Sequence, residues 1–480
     1  MSDTISKKAI RGTVWSACDR FGIMVLQFTV NIILSRLLTP TDFGAIGMLY
    51  IFIVLSMTLI DGGFGSALIQ KKNPSETDYS TIFFWNLGIG LILYVALYIC
   101  APIIATFYKM PILNAVLRVI GLSLIFSSIS NIQINKLRKN LRFKDLAITN
   151  IGSYVCASIV TIIMAYNGYG VWSLVVMNLM QGIMRIIWLY MLTHWFPILK
   201  FSKTSFKQLF SFGGYLFISY ILEAICKNIQ GLVIGRKFSA AQMGFYSQAS
   251  KLDNVTSYAI PQTIETVMYP VMAQYQDDKA KMINILNINF QIISFFIWPL
   301  LCILILIAHP LIHLLYGLQW DMSIPYYQIL CCGGFFLCLN NIPYYAVAAS
   351  GKSKALLTIS FYKWGCLALF IMIGMNFGME GIVWSISAST ANIFIANLWL
   401  TKKYIGYHFM DCLKAICPAG ISSLVSISIT YYLQTIFELN MIMIILILIS
   451  IYLATSFVIN KKSFNLSVEI ITRLIKNDKL

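Results

Sequence analysis

The stretch NMIMIILILISIYLATSFVIN, residues 440–460, contains no charged side chain. A helix of about 20 apolar residues can cross the hydrocarbon core of a bilayer, which is about 30 Å thick. Thirteen more apolar stretches of comparable length fill most of the 480-residue chain, and short loops separate them. Charged residues are only 11% of the chain, against about 25% in soluble proteins. The sequence therefore predicts a membrane protein with no room for a soluble domain.

The predicted membrane spans are continuous apolar runs. They cover residues 11–37, 43–69, 79–107, 113–136, 145–166, 171–195, 207–234, 243–274, 283–308, 322–349, 355–375, 380–400, 411–436 and 440–460. Membrane β-strands would instead show alternating runs of about ten residues. We therefore expect an all-α membrane protein with about 14 transmembrane helices.

The distribution of basic residues predicts the orientation of these helices. The chain has 35 Lys and Arg against 18 Asp and Glu, a net charge of +17. Twenty-five of the basic residues fall in alternate loops and termini on one side, and four fall on the other side. Because Lys and Arg concentrate in cytoplasmic loops, both termini are predicted to be cytoplasmic. The positive charge is thus an orientation signal and does not predict a nucleic-acid partner.

Several features recur at a spacing of 200 residues. Arg36 ends the first span and Gly44 opens the second, as Arg236 ends the seventh and Gly244 opens the eighth. A Trp-Ser pair also opens both the sixth and the twelfth span, at an offset of 212 residues, so the second copy has gained about a dozen residues. Two copies of six helices have the same orientation in the membrane, which is the parallel-repeat plan of many secondary transporters.

The repeat predicts a division of the chain into four parts. These are a six-helix lobe over residues 1–200, a second over 201–403, two additional helices over 404–460, and a basic amphipathic cytoplasmic tail over 461–480. A disordered basic tail is the alternative for the last part. The eleven cysteines lie mostly in apolar runs and lack the spacing of metal ligands. We expect no disulfide framework, no metal site and no cofactor.

Ionisable residues inside the apolar spans are the candidates for function, because a charge at mid-membrane costs about 2.5–3.5 kcal/mol on insertion scales. The predicted substrate-binding cations are Arg20, Arg185, Lys227, Lys251 and Lys363. The predicted ion-coupling acids are Asp19, Asp61 and Glu223. Two alternatives stay open. Glu223 and Lys227 have the i, i+4 spacing of a neutralising ion pair, and Arg185 and Lys363 can snorkel or pair across helices.

Helix breakers occur at matching depth in the second and eighth spans. The second span contains Gly62, Gly63 and Gly65, and the eighth contains Pro261, at the position offset by 200 from Asp61, and then Pro270. Interrupted helices at corresponding positions indicate binding or hinge sites, whereas small residues also permit close helix packing. We predict a hinge at Pro261 and close packing at the glycines.

Three segments resemble a known family. Residues 35–44, SRLLTPTDFG, resemble the R-x-L-x-P-x-D-F-G signature of bacterial polysaccharide exporters and lie after the first helix, as in that family. Residues 61–69 and 139–144 are also similar. The family is the Wzx-type lipid-linked oligosaccharide flippases, nearest the colanic-acid exporter branch. It belongs to the superfamily that includes MATE drug antiporters and the lipid II flippase.

The resemblance covers essentially the whole chain and implies a function. It implies two lobes around a V-shaped cleft that opens alternately to each side of the bacterial inner membrane. The substrate would be an undecaprenyl-pyrophosphate-linked oligosaccharide, flipped for the synthesis of capsule, exopolysaccharide or O-antigen. Implied partners are membrane lipids and a polysaccharide polymerase, and the protein is not expected to be an enzyme. A MATE-like ion-coupled multidrug exporter is the alternative.

Overall fold

The computed structural model describes residues 2–276, 278–437 and 439–475. Within these ranges the backbone alone is described for residues 2–11, 13, 211–216, 218–219, 226–227, 263–267, 270, 353–354, 470–471 and 473–475. The described chain is almost entirely helical and contains no β-strand. The all-α fold class is therefore confirmed.

The chain separates into two compact units, Met1–Gly244 and Phe245–Leu480. The helices up to the seventh predicted span are α1 (Ser2–Leu37), α2 (Pro40–Asp61), α3 (Phe64–Gln70), α4 (Glu76–Phe107), α5 (Ile112–Ile120), α6 (Ser123–Lys139), α7 (Phe143–Tyr166), α8 (Val171–Thr193) and α9 (Lys203–Lys237). They are followed by α10 (Ala240–Asp253), a π-helical segment (Asn254–Ala259), α11 (Ile260–Gln274), α12 (Lys279–Leu306), α13 (Ala308–Leu315), α14 (Ser323–Leu337), α15 (Asn341–Ala349), α16 (Ser353–Gly374), α17 (Gly378–Ile405), α18 (Phe409–Ile436), α19 (Met441–Ile459) and α20 (Lys461–Ile475).

These helices make the protein a multi-pass membrane protein. Eleven segments of the described residues are long and apolar enough to cross a bilayer, and one of them, Ala355–Ile405, contains both α16 and α17. Every predicted span coincides, within a few residues, with one helix or with consecutive shorter helices. The number of helices that cross the membrane stays a prediction.

The second predicted span is two helices rather than one. Gly62 and Gly63 follow α2 with φ of 55° and 74°, so both adopt the left-handed conformation that terminates a helix. These two glycines therefore separate α2 from α3, whereas Gly65, the third glycine of the segment, packs closely, because a Cβ there would lie 2.7 Å from Asn135 Nδ2. Aromatic rings pack together at the break. The ring centroid of Phe64 lies 6.3 Å from that of Trp85 and 5.6 Å from that of Phe206.

In the second unit, α12 is the central helix and packs against α14, α18 and α19. Polar side chains link α12 to its neighbours through backbone carbonyls. Trp298 Nε1 donates to the Phe335 carbonyl at 3.0 Å, and the Tyr452 hydroxyl donates to the Phe295 carbonyl at 2.8 Å. The tail is helical over α20, where Phe464 packs against Phe295 and Phe457. Residues 476–480 lie outside the described chain.

The local structure repeats at the predicted offset of 200 residues. Helix α1 ends at Leu37 and α2 begins at Pro40, while α9 ends at Lys237 and α10 begins at Ala240. Thr39 and Asp42 form a capping box at the start of α2, in which each side chain bonds the backbone N–H of the other residue. Ser239 and Gln242 form the same two bonds, at 3.2 and 3.3 Å.

The repeated segments also contact each other. A Cβ atom added to Gly44 would lie 1.7 Å from the Ala240 carbonyl oxygen, and one added to Gly244 would lie 1.9 Å from the Pro40 carbonyl oxygen. The two contacts are reciprocal, because each joins a glycine to the residue four positions before the other glycine. Both positions therefore need glycine for the close approach of the helix starts.

Candidate functional site

A polar cluster lies among the helices of the first unit around Arg185. This residue is about 21 Å along α8 from Val171, which places it near the middle of the predicted span. Its side chain is half-buried, and Nε is buried with no hydrogen-bond partner. Asn150 of α7 donates to both carboxylate oxygens of Asp19 on α1, at 3.3 and 3.1 Å. Asp19 and Arg138 both lie within electrostatic range of Arg185.

The cluster of Asp19, Arg138, Asn150 and Arg185 carries two positive charges and one negative charge. Arg185 forms no ion pair within 4 Å among the side chains that the structure describes. A buried N–H without a partner is costly, and guanidinium N–H groups bind phosphate oxygens strongly. The cluster can therefore accept an additional anionic oxygen at Arg185.

The other predicted cations occupy separate positions. Arg20 on α1 and Lys251 on α10 are exposed, and Lys363 on α16 is half-buried with Nζ 4.6 Å from the ring centroid of Trp364. Each of the three makes a further interaction. The side chain of Lys227 on α9 lies outside the described residues. The structure thus brings Arg185 together with Asp19.

A second polar cluster surrounds Asp61 at the break between α2 and α3. Asn131 of α6 donates to Asp61 Oδ1 at 2.9 Å, and Asn135, one turn later, donates to Asn131 Oδ1 at 3.3 Å. A Cβ on Gly65 would lie 2.7 Å from Asn135 Nδ2, so this glycine makes room for the amide. The carboxylate stands at the C-terminal end of α2, where the helix dipole favours positive charge. The Asp61 cluster is suited to a proton or a small cation.

The two remaining predicted residues lie on irregular or exposed helix. Glu223 on α9 is exposed, and its predicted ion pair cannot be described because Lys227 lacks a described side chain. Pro261 is buried as the second residue of α11, directly after the π-helical segment. Proline has no N–H and its ring clashes with the carbonyl four residues earlier. The helix accommodates this by widening to π geometry, which is frequent at functional sites.

Neutral amides are the residues that the sequence interpretation missed. Asn131 donates to Asp61 and Asn150 donates to Asp19, while Asn135 donates to Asn131. The signal was present, since Asn131 and Asn135 lie one helical turn apart in an apolar span and therefore share one face. An acid on a distant helix could not be paired with them from spacing alone.

An apolar cavity of about 220 Å³ lies beside the α2–α3 break. Its lining is composed of Leu59, Gly62, Phe64, Trp85, Ile89, Ile92, Leu93, Phe210 and Phe217. Burying an anionic or sugar group there would leave its polar atoms without partners. The cavity is therefore excluded as a site for a polar headgroup.

Comparison with known proteins identifies the family. The family described as polysaccharide biosynthesis protein matches residues 33–325. The succinoglycan biosynthesis transport protein ExoT of Rhizobium meliloti is 23% identical over 84% of this chain and 85% of its own length. The lipopolysaccharide biosynthesis protein WzxC of Escherichia coli is 23% identical over 90% of this chain and 88% of its own length.

A solved structure shares the fold. The lipid II flippase MurJ in its inward closed conformation aligns with a TM-score of 0.74 at 17% identity, over 92% of this chain and 98% of that protein. The similarity confirms the predicted transporter fold. Since the family match spans more than half of the 480 residues, the chain belongs to the polysaccharide biosynthesis protein family.

Proposed function

We propose that this protein is a flippase for lipid-linked oligosaccharide repeat units in the synthesis of a surface polysaccharide. It is a transporter rather than an enzyme. The observation that carries the proposal is Arg185, a half-buried guanidinium near mid-membrane with an unpartnered N–H, in a chain of a polysaccharide biosynthesis family. The transported headgroup is a pyrophosphate with several sugars attached, and its undecaprenyl chain stays in the lipid.

The chemistry of the headgroup matches the predicted cations. A pyrophosphate needs positively charged donors, and arginine offers a planar fork of N–H groups that suits phosphate oxygens. Arg185 would contact the pyrophosphate directly, and Arg20, Lys227, Lys251 and Lys363 would contribute positive charge along its path. The Asp19 carboxylate orients Arg185 through their mutual attraction, and Asn150 holds that carboxylate in place.

Alternating access would use the repeated lobes. In this proposal residues 1–200 and 201–403 form the two lobes, residues 404–460 add two helices, and the basic amphipathic tail over 461–480 lies at the cytoplasmic surface. Pro261, after the π-helical segment, acts as a hinge in the eighth span. The asymmetry of Lys and Arg supports an inner-membrane topology with both termini in the cytoplasm.

Ion coupling would use the intramembrane acids Asp19, Asp61 and Glu223. Asp61 is the best supported, because it combines a helix C-terminus with two amides on α6. Its carboxylate can bind a proton or a cation when the lobe faces one side and release it on the other. A polysaccharide polymerase would then receive the flipped repeat unit as a functional partner.

The proposal is tested by lipid analysis of a depleted strain. Loss of the protein should cause undecaprenyl-linked repeat units to accumulate in the cytoplasmic leaflet, and wild-type protein should reverse this. Arg185→Gln should fail to reverse it at equal protein abundance. Arg118→Gln is the matched control, since Arg118 stacks over Tyr98 at 4.4 Å near a helix end and lies outside the proposed site.

Three results would count against the proposal. Unchanged levels of lipid-linked repeat units on depletion would remove the substrate assignment. If depletion instead raised sensitivity to cationic drugs and left the glycolipids unchanged, the MATE-like multidrug exporter would replace the flippase. Equal rescue by Arg185→Gln and Arg118→Gln would remove the role assigned to Arg185.

A further inference from the structure

A buried acid in the second unit has no role in the proposed substrate path. Asp253 is the last residue of α10, about 20 Å along the helix from Ala240, and this depth is near the middle of the membrane core. Its side chain is only 6% exposed. An ionised carboxylate at this depth is costly unless a cation or a dense set of donors compensates it.

The surroundings of Asp253 supply hydroxyl groups rather than a cation. The Ser257 hydroxyl, one turn later, donates to Asp253 Oδ1 at 2.5 Å. Tyr327 of α14 is fully buried, its hydroxyl has no hydrogen-bond partner, and it lies within electrostatic range of Asp253. An unpartnered buried hydroxyl beside a carboxyl group can accept a hydrogen bond from the neutral acid or donate one to its ionised form.

The other titratable groups nearby are also uncharged at neutral pH. Tyr246 on α10 and Cys331 on α14 lie within electrostatic range of Asp253. Cys302 on α12 lies within electrostatic range of Cys331. Lys251 is exposed two residues earlier, and a step of about 200° around the helix places it on the opposite face. Tyr258 and Tyr269 are exposed on the π-helical segment and α11. The described side chains contain no ion-pair partner of Asp253 within 4 Å.

The backbone next to Asp253 is π-helical, and a glycine of α14 leaves space for the Ser257 hydroxyl. The π-helical segment begins at the next residue, Asn254, and Ser257 lies within it. A Cβ on Gly334 of α14 would lie 2.4 Å from Ser257 Oγ, so the glycine provides the space that this hydroxyl occupies. The carboxyl group and the Ser257 hydroxyl thus form a bonded polar pair inside an apolar region, with the Tyr327 hydroxyl within electrostatic range of the acid.

We propose that Asp253 is a proton-binding site that couples transport to the proton gradient. In the conformation described here the carboxyl group is protonated, and it releases the proton when a change of conformation admits water. A proton fits better than a metal ion, because hard cations such as Mg²⁺ take about six oxygen ligands and this site offers a carboxyl group and two hydroxyls. The coupling rests on the flippase function proposed above; the protonation itself does not.

Infrared spectroscopy of the purified protein in lipid tests the protonation. Wild-type protein should show the carbonyl stretch of a protonated carboxyl group that disappears as the pH is raised. The band should be absent from Asp253→Asn and should persist in Asp278→Asn. Asp278 is a partly exposed N-cap of α12, where asparagine caps equally well. A spectrum in which Asp253→Asn removes no band, or removes one that is insensitive to pH, would overturn the assignment.

Transport by the same variants tests the coupling. In vesicles with an imposed pH gradient, flipping by wild type and Asp278→Asn should accelerate, and this acceleration should be lost in Asp253→Asn. An equal response of Asp253→Asn would refute coupling through this residue. If wild-type protein did not flip lipid-linked glycans at all, the proposed function would fail while the infrared result on Asp253 would stand.

Discussion

Replacement of Gly44 by alanine tests the close approach of the two repeated helix starts. The added Cβ would lie 1.7 Å from the Ala240 carbonyl oxygen, and real Cβ contacts essentially never fall below 3.0 Å. The helix starts must therefore separate by at least the difference, 1.3 Å. The obstructing atoms belong to the backbone, so a side-chain rotation cannot relieve the clash.

The expected cost follows from overpacking. Extra atoms in a packed interior cost about 1–3 kcal/mol, and more where backbone must move. We expect Gly44→Ala to lower the free energy of unfolding by about 3 kcal/mol. Gly88→Ala is the matched control, since Gly88 lies inside α4 and a Cβ there would meet no atom within 4 Å. That control should be neutral or stabilising by up to about 1 kcal/mol, the difference in helix propensity.

The assay is thermal unfolding of the purified variants in one detergent, combined with polysaccharide export in cells. Gly44→Ala should unfold at a lower temperature than wild type, and Gly88→Ala should not. The double variant Gly44→Ala/Gly244→Ala should cost less than twice the single change, because one separation relieves both reciprocal clashes. Equal stability of Gly44→Ala and Gly88→Ala would refute the close approach.

Three further substitutions have defined outcomes. Asn131→Ala removes the amide that donates to Asp61, so the free energy of unfolding should fall by about 1–3 kcal/mol in a denaturation measurement. An unchanged free energy of unfolding would mean that this hydrogen bond is not formed. Tyr327→Phe removes a hydroxyl without a partner, so the unfolding temperature should stay equal or rise, and a marked fall would show a bond that the structure lacks. Arg185→Lys keeps the charge and loses the planar fork of N–H groups, so its polysaccharide export should be lower than that of wild type and higher than that of Arg185→Gln. Export equal to wild type would indicate that the positive charge alone suffices.

Hydropathy predicts the position of the spans well because the bilayer fixes the length of every spanning helix. It does not predict where a span is divided. Gly62 and Gly63 could serve close packing or end a helix, since both roles require a small residue, and their left-handed φ is visible only in the structure. The offset of 200 predicts such local structure better than hydropathy does. The ends of α1 and α9, at Leu37 and Lys237, are 200 residues apart, and so are the two capping pairs that follow them.

The sequence predicts which charged residues belong to the candidate site, but it does not predict which residues they contact. The cost of a mid-membrane charge singles out Arg185, Asp19 and Asp61 from a sequence that is only 11% charged. Which helices face one another depends on their rotation and packing, so the meeting of Asp19 with Asn150 was not predictable. Asn131 is not among the predicted residues, because a neutral amide lacks the free-energy cost that singles out a charged residue at mid-membrane.

The most direct test of the central claim is flipping of a lipid-linked oligosaccharide in reconstituted vesicles. The glycolipid would be placed in one leaflet, and a membrane-impermeant probe would report the fraction that reaches the other leaflet. Wild-type protein should transfer it, and Arg185→Gln should transfer it at a rate close to that of protein-free vesicles. Wild-type vesicles that transfer no more glycolipid than protein-free vesicles would contradict the account.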